Sequence, residues 1–317
     1  MLQAQGHLDE AEPLLREALA IRQKVLGPEH PATATGLANL ASLLQDQGQL
    51  AEAEPLYRQA LAIDQKALGL EHPTTAISLE NLAMLLKAQG QLAEAEPLLR
   101  EALAIRQKAL GLEHPDTIVN LNKLAALLKT QNKLDEAEPL YRQALAIRQK
   151  ALGLEHLDTA ISLANLASLL QDQGQLAEAE PLYRQALAIY QKVLGPEHAT
   201  TATSLNNLAR LLQAQGHLDE AEPMYQKALV IRQTVLGPQH RDTIASQYNL
   251  ASVLNKQNRF KEAEPLMRTV IRHLHQERGE NSPATQQVIR EWRAILSQLG
   301  LDDATVKERF QTLIASC

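Results

Sequence analysis

The sequence contains few of the residues on which many folds depend. Among 317 residues there is one cysteine, Cys317, so no disulfide can form within the chain, and we expect a reducing, cytoplasmic location. Aromatic residues make up 3% of the chain, which argues against most β-rich folds, because those rely on aromatic and β-branched side chains. The sequence has no apolar run of about 18 residues, so we expect no membrane-spanning helix and no membrane partner.

Basic residues are also in the minority. The chain has 31 Lys and Arg against 37 Asp and Glu, a net charge of -6, whereas proteins that bind nucleic acid by neutralising phosphates are usually basic. We therefore expect no nucleic-acid partner. The sequence has no glycine-rich phosphate loop, no H-E-x-x-H motif and no nucleophile elbow. These absences predict a protein that is not an enzyme, with no catalytic residues and no cofactor.

A period of 42 residues organises the chain. The strings LGPEH, LGLEH and LGPQH recur at this spacing and end in His30, His72, His114, His156, His198 and His240. Thirteen of the 14 glycines fall at two repeat positions, with Gly36 as the exception, and all 14 prolines fall at three. This regularity indicates one supersecondary unit copied many times.

Each unit encodes two helices. In residues 31–72, Leu37, Leu40 and Leu44 have the spacing of an amphipathic helix, which we call the A helix. Gly48 follows, where a left-handed backbone would end the helix. Apolar residues from Leu50 onward predict a second helix, the B helix, ending before Gly69. Pro55 lies about five residues into it, so we predict a helix that starts near Leu50 and carries a local distortion.

The register divides the chain into three parts without a linker or a second domain. Residues 1–30 form a truncated first repeat with only its B helix, residues 31–282 form six repeats, and residues 283–317 form a degenerate helix pair that we expect to cap the array. Residues 1–6 match the end of an A helix, which would leave an apolar face of the first B helix uncovered. We expect this end to form a homodimer or to continue into an upstream region.

Five recurring residues indicate a family. Leu40 and Ala41 in the A helix, with Ala53, Tyr57 and Ala60 in the B helix, resemble the signature of the tetratricopeptide repeat. The 42-residue period and strings such as AEAEPLYRQALAI resemble the repeats of kinesin light chains and of many bacterial tetratricopeptide proteins. The resemblance covers about residues 1–282 and implies an all-α fold, a right-handed α-solenoid of tandem helix-turn-helix repeats. HEAT and armadillo arrays are the alternative on period alone.

Most recurring residues are interpreted as structural. The histidines lie where each A helix begins, and we expect them to cap it or to pack in the turn. They would be roughly 10 Å apart between repeats, too far to share a zinc ion, so no metal site is predicted. Tyr57 and its copies share a position with Leu and Met, which indicates packing. Glu54 and Arg58, four residues apart, predict an ion pair on an exposed helix face.

One polar position in the A helix is the candidate peptide-binding site. It precedes the Leu40–Ala41 pair, and its members are Asn39, Asn81, Lys123, Asn165, Asn207 and Asn249. Asparagine is a mediocre residue for a helix interior, so five copies require an explanation. The resemblance implies that A helices line a concave groove and that these side chains bond the backbone of a bound peptide. The alternative is that each bonds the neighbouring repeat.

Other positions of the predicted groove vary in the way expected of a specificity surface. Lys87, Lys123 and Lys129 form a basic cluster that favours an acidic peptide or a free carboxylate, and Arg210 occupies a further variable position. The alternative is that these lysines are only solvated. The sequence therefore predicts a non-catalytic scaffold that binds protein or peptide ligands, or a sensor or regulatory repeat region of a larger signalling protein.

Overall fold

The fold is entirely helical over the part of the chain that the computed structural model describes, residues 8–315. Fifteen helices and no strand lie within that range. The helices are α1 Leu8–Leu26, α2 Pro31–Asp46, α3 Leu50–Leu68, α4 Pro73–Ala88, α5 Leu92–Leu110, α6 Pro115–Thr130, α7 Leu134–Leu152, α8 Leu157–Asp172, α9 Leu176–Val193, α10 Ala199–Gln215, α11 Leu218–Leu236, α12 Arg241–Lys256, α13 Phe260–Arg278, α14 Pro283–Gln298 and α15 Asp303–Ala315. Even numbers are A helices and odd numbers are B helices, as the 42-residue register predicts.

Contacts divide the chain into two compact units, Met1–Ala151 and Leu152–Cys317. In the first unit consecutive helices pack together from α1 to α6, and in the second from α8 to α15. The A helices of adjacent repeats also touch, α2 against α4 and α10 against α12. Within each unit, neighbouring A helices therefore form a shared layer.

The A helix of each of the six full repeats, α2 to α12, begins at a histidine that caps it. The Nδ1 atom of His30 accepts a hydrogen bond from the backbone N–H of Ala32 at 3.1 Å. The same bond, at 3.1–3.2 Å, forms at the five later copies, and Ser282 takes the position before α14. A capping side chain satisfies one of the backbone donors that a helix start leaves free. The predicted capping role is confirmed.

Glycine and threonine fix the turn between the B helix and the next A helix. Gly69 has a φ of 96°, a left-handed backbone that side chains disfavour. The buried Thr75 hydroxyl donates to the Gly69 carbonyl at 2.7 Å, and the other five full repeats contain the same bond. The turn between the A helix and the B helix also uses a left-handed residue. The φ angle is 79° at Gly48, as predicted, and 61° at Asn132, the equivalent residue two repeats later.

The B helices run through their prolines. α3 begins at Leu50 and is unbroken to Leu68, with Pro55 inside it. The predicted early start is confirmed, and the local distortion predicted at Pro55 does not interrupt the helix. It allows Ala53 to pack with no exposed surface beside Tyr57, which is 4% exposed. Small side chains at the alanine positions let adjacent helices approach closely, and the buried tyrosines pack with the leucines in the core.

The two ends of the described chain differ from the interior. In α14, Trp292 replaces the core leucine; it is 1% exposed, and its Nε1 donates to the Glu264 carboxylate at 3.2 Å. In α1, Ile21 is 55% exposed, whereas its counterpart Ile63 is 6% exposed. The predicted partner segment of α1, residues 1–6, lies outside the described residues.

Candidate functional site

The candidate position lies on one A helix of every full repeat. Asn39 is exposed, and Asn81, Asn165, Asn207 and Asn249 are half-buried. Within residues 8–315, no hydrogen bond involves the side chains of Asn39, Asn81, Asn165 or Asn207. A carboxamide carries two donors and an acceptor, so these four side chains retain their full bonding capacity.

Two members of this position instead bond the preceding repeat. Asn249 Nδ2 donates to Asn206 Oδ1 at 2.9 Å, and the Lys123 ammonium pairs with the Glu80 carboxylate. In both cases the partner lies 43 residues earlier in the chain. It is therefore in the preceding repeat, one position before the residue equivalent to Asn249 or Lys123. Where that place holds alanine, as at Ala38 before Asn81, the next asparagine has no partner there. The neighbour-bonding alternative therefore describes Asn249 and Lys123, and it leaves Asn81 and Asn207 available.

The three lysines predicted to form a basic cluster have different surroundings. Lys87, near the end of α4, is half-buried, and this burial lowers its pKa. Lys123 pairs with the buried Glu80 carboxylate, which it shares with Arg106 and which also accepts a hydrogen bond from Asn120. Lys129 is half-buried near the end of α6. The cluster therefore carries less free positive charge than its sequence suggests.

Arg210 lies on the exposed side of α10, close to two buried tyrosines. Tyr183 is fully buried and Tyr225 is 1% exposed, in agreement with their predicted packing role. Burial raises the pKa of both hydroxyls, and the positive charge of Arg210 opposes this rise. The Tyr225 hydroxyl donates to Gln213 Oε1 at 2.9 Å, so a buried residue of the B helix α11 bonds a side chain of the A helix α10.

One buried polar position between repeats was not predicted from the sequence. It lies near the end of each B helix, and its buried members include Asp64, Arg106, Arg148 and Arg232. The facing position on the next A helix, 14 residues later, holds a small or polar residue, such as Ser78, which donates to Asp64 at 2.6 Å. The only available sequence signal was a charged residue in an otherwise apolar helix register.

This position also explains the one glycine that the repeat pattern does not predict. Gly36 faces Arg22, and a Cβ atom placed on Gly36 would lie 3.0 Å from the Arg22 guanidinium nitrogen. The other repeats use serine or asparagine there. The absent side chain at Gly36 therefore makes room for Arg22.

The predicted Glu–Arg pairs form, and they extend between repeats. Arg58 contacts Glu54 on its own helix at 2.8 Å and Glu94 of the next repeat at 3.3 Å. Gln89 Nε2 donates to the second Glu54 oxygen at 3.0 Å. Hydrogen bonds from Arg58 and Gln89 hold the pKa of Glu54 below its usual value. This face is therefore a network that links neighbouring repeats.

The sequence matches the tetratricopeptide repeat family over residues 1–66, 33–108, 74–150, 158–233 and 211–274, with a further match at 122–193. These ranges cover most of the chain. The chain belongs to the tetratricopeptide repeat family. The fold class predicted from the residues, tandem helix pairs of this repeat, is confirmed.

Solved structures of tetratricopeptide repeat proteins resemble the chain. A candidate kinesin light chain from Podosopora anserina, with nearly identical TPR-like repeats, is 35% identical, with a TM-score of 0.60 over 65% of this chain and 98% of the other. BtubC (BKLC) from P. vanneervenii is 26% identical, with a TM-score of 0.61 over 74% and 92%. A tetratricopeptide repeat protein from Parabacteroides merdae is 18% identical, with a TM-score of 0.62 over 93% and 94%, and shows the fold alone. No curated protein matches the chain.

No helix among the described residues, 8–315, is both long and apolar enough to cross a membrane. No three His, Cys, Asp or Glu side chains between residues 8 and 315 come together in an arrangement that could hold a metal ion.

Proposed function

We propose that this protein is a non-catalytic scaffold that binds an extended peptide segment of another protein along its A helices. The observation that carries the proposal is the set of four unbonded asparagine side chains, Asn39, Asn81, Asn165 and Asn207. An extended peptide presents unpaired backbone N–H and C=O groups, and a carboxamide can satisfy both kinds. Tetratricopeptide repeat proteins generally serve as protein-interaction scaffolds, which supports this reading.

An acidic ligand is the finer part of the proposal. Lys87 supports it, because a half-buried ammonium without a described anionic partner gains from a ligand carboxylate. Lys123 contributes less, because binding a ligand there requires it to leave Glu80.

The test compares two kinds of asparagine in the same fold. An acidic peptide selected from a peptide array is titrated into the wild-type protein, into the double variant Asn165→Ala/Asn207→Ala, and into the control Asn249→Ala. The double variant should bind at least about fivefold more weakly with an unchanged melting temperature, because each lost hydrogen bond is worth about 0.5–1.5 kcal/mol. Asn249→Ala should bind within about twofold of wild type while melting slightly earlier. Unchanged binding in the double variant would contradict the proposal.

We also propose that two copies associate through the exposed apolar face of α1. Leu14, Ile21 and Val25 are 56%, 55% and 72% exposed on this helix, and exposed contiguous apolar surface commonly marks an interface. Light scattering should report a dimer, and Ile21→Lys should convert it to a monomer with unchanged helicity. A monomeric wild-type protein at micromolar concentration would rule this out.

A further inference from the structure

One junction between repeats is filled by an arginine from the chain itself. Arg232, at the end of α11, is buried between α10 and α12. Its guanidinium donates to the Asp242 carbonyl at 3.0 Å, to the Ser246 hydroxyl at 2.7 Å and to the Thr203 hydroxyl at 3.1 Å. These bonds satisfy the buried cation and occupy the space between two A helices.

The next junction has lost all three members of this arrangement together. Forty-two residues later, Leu274 stands in place of Arg232, Val288 in place of Ser246, and Ala245 in place of Thr203. A cavity of about 410 Å³ lies there between α12, α13 and α14, and all three residues line it. Buried Ile244 and Val270 extend the apolar lining. The cavity is the apolar counterpart of the site that Arg232 fills.

The charged residues at the rim of the cavity balance one another. Arg241 lies 3.8 Å from Asp242, and Glu277 lies 3.6 Å from both Arg278 and His273. The Tyr248 hydroxyl donates to the Glu291 carboxylate at 2.9 Å, and burial together with this bond raises the pKa of Tyr248 to about 12. The Tyr248 hydroxyl therefore stays protonated at neutral pH and remains hydrogen-bonded to Glu291. Such a rim selects neither cations nor anions, whereas the apolar floor favours a neutral apolar group.

We propose that the cavity formed by Ala245, Leu274 and Val288 receives one aliphatic or aromatic side chain of the peptide that lies along the A helices. The inference rests on the proposed function, because the cavity opens beside Tyr248, one place before Asn249 in the A-helix register. The site anchors the ligand by burying apolar surface, while the free asparagines bond its backbone. One anchor in a pocket commonly dominates the affinity of a peptide interface.

The experiment uses a neutral probe that tests the cavity without the rest of the peptide. N-acetyl-phenylalaninamide is titrated into the full chain while the methyl NMR signals of Ile244, Val270, Leu274 and Val288 are followed, with N-acetyl-argininamide as the matched counter-probe. The phenylalanine probe should shift these methyl signals saturably, and the arginine probe should not. Stronger binding of the arginine probe, or no saturable shift with either, would overturn the assignment.

Two variants test the site with residues that the chain already uses. Ala245→Thr/Leu274→Arg/Val288→Ser recreates the Thr203, Arg232 and Ser246 arrangement and should abolish probe binding, because the guanidinium fills the cavity. Ala245→Ile, which copies Ile77 at the same register position, should weaken binding at least about tenfold without adding charge. Thermal melts establish that both variants fold, and unchanged probe binding in a folded variant would overturn the proposal.

The outcomes separate the cavity from the general function. If the array-selected peptide binds in a manner that depends on Asn207 but the apolar probe does not bind, the cavity assignment fails and the scaffold function stands. If the methyl signals shift with protein concentration in the absence of probe, the occupant is a second copy of the chain, and the proposal is wrong.

Discussion

At the scale of single residues, the buried position near the end of each B helix differs in residue type and bonding between repeats that are otherwise similar in sequence. Arg106 pairs with Glu80, which it shares with Lys123, and Arg232 is bonded to neutral oxygens. Asp64 is the exception, because its described hydrogen bond is the one from Ser78 to Oδ2, while its buried Oδ1 has no partner. Burial raises the pKa of Asp64 above its ordinary value. Its charged form therefore costs stability.

Asp64→Asn should stabilise the protein at neutral pH by an amount on the order of 1 kcal/mol, because it removes a poorly compensated buried charge. Since the folded-state pKa is raised, the favourable protonated form predominates below the unfolded pKa of about 3.9 and is lost as pH rises through the folded pKa. The advantage of the variant should thus appear above that window and vanish below it. Urea unfolding at several pH values measures it, with exposed Glu101→Gln as the control. Destabilisation at pH 7 would refute this account of Asp64.

At the scale of the element, the repeat turn explains why helix boundaries could be predicted from the sequence. Glycine at a positive φ, a threonine that holds its carbonyl, and a capping histidine recur in one order, and each has a local reason. The buried arginines between repeats could not be predicted from local sequence, because their partners lie in the next repeat. In a helical pattern, a charged residue is normally interpreted as exposed. The same limit applies to Lys123, whose pairing with Glu80 spans 43 residues.

The cap can be tested with a replacement that the chain itself contains. His72→Ala should lower the free energy of unfolding by about 1 kcal/mol, because the Thr74 N–H loses its acceptor. His72→Ser should restore most of it, because Ser282 caps α14 at the equivalent position. Chemical unfolding of the three proteins measures both steps. Equal stability of His72→Ala and wild type would show that the histidine does not act as a cap.

At the scale of the whole molecule, one repeated sequence carries two different layers of interactions. The network of Glu54, Arg58 and Gln89 joins neighbouring repeats on the B-helix side, and the A helices carry asparagines that are bonded in some repeats and free in others. The candidate position was predictable from the sequence, because asparagine is out of place in a helix interior. Which members are free was not, since that depends on what the residue one position earlier in the preceding repeat bonds. Asn206 bonds Asn249, Ala38 offers no partner to Asn81, and Asn122 donates to the Ile118 carbonyl of its own helix.

The central claim is that the unbonded asparagines form the peptide-binding surface. The most direct measurement follows the side-chain amide NMR signals of all asparagines while the array-selected peptide is added to the wild-type protein. The account predicts that signals of Asn81 and Asn207 shift on binding, whereas those of Asn206 and Asn249, which bond each other, stay in place. Shifts confined to Asn206 and Asn249, or no asparagine shift under saturating peptide, would contradict it.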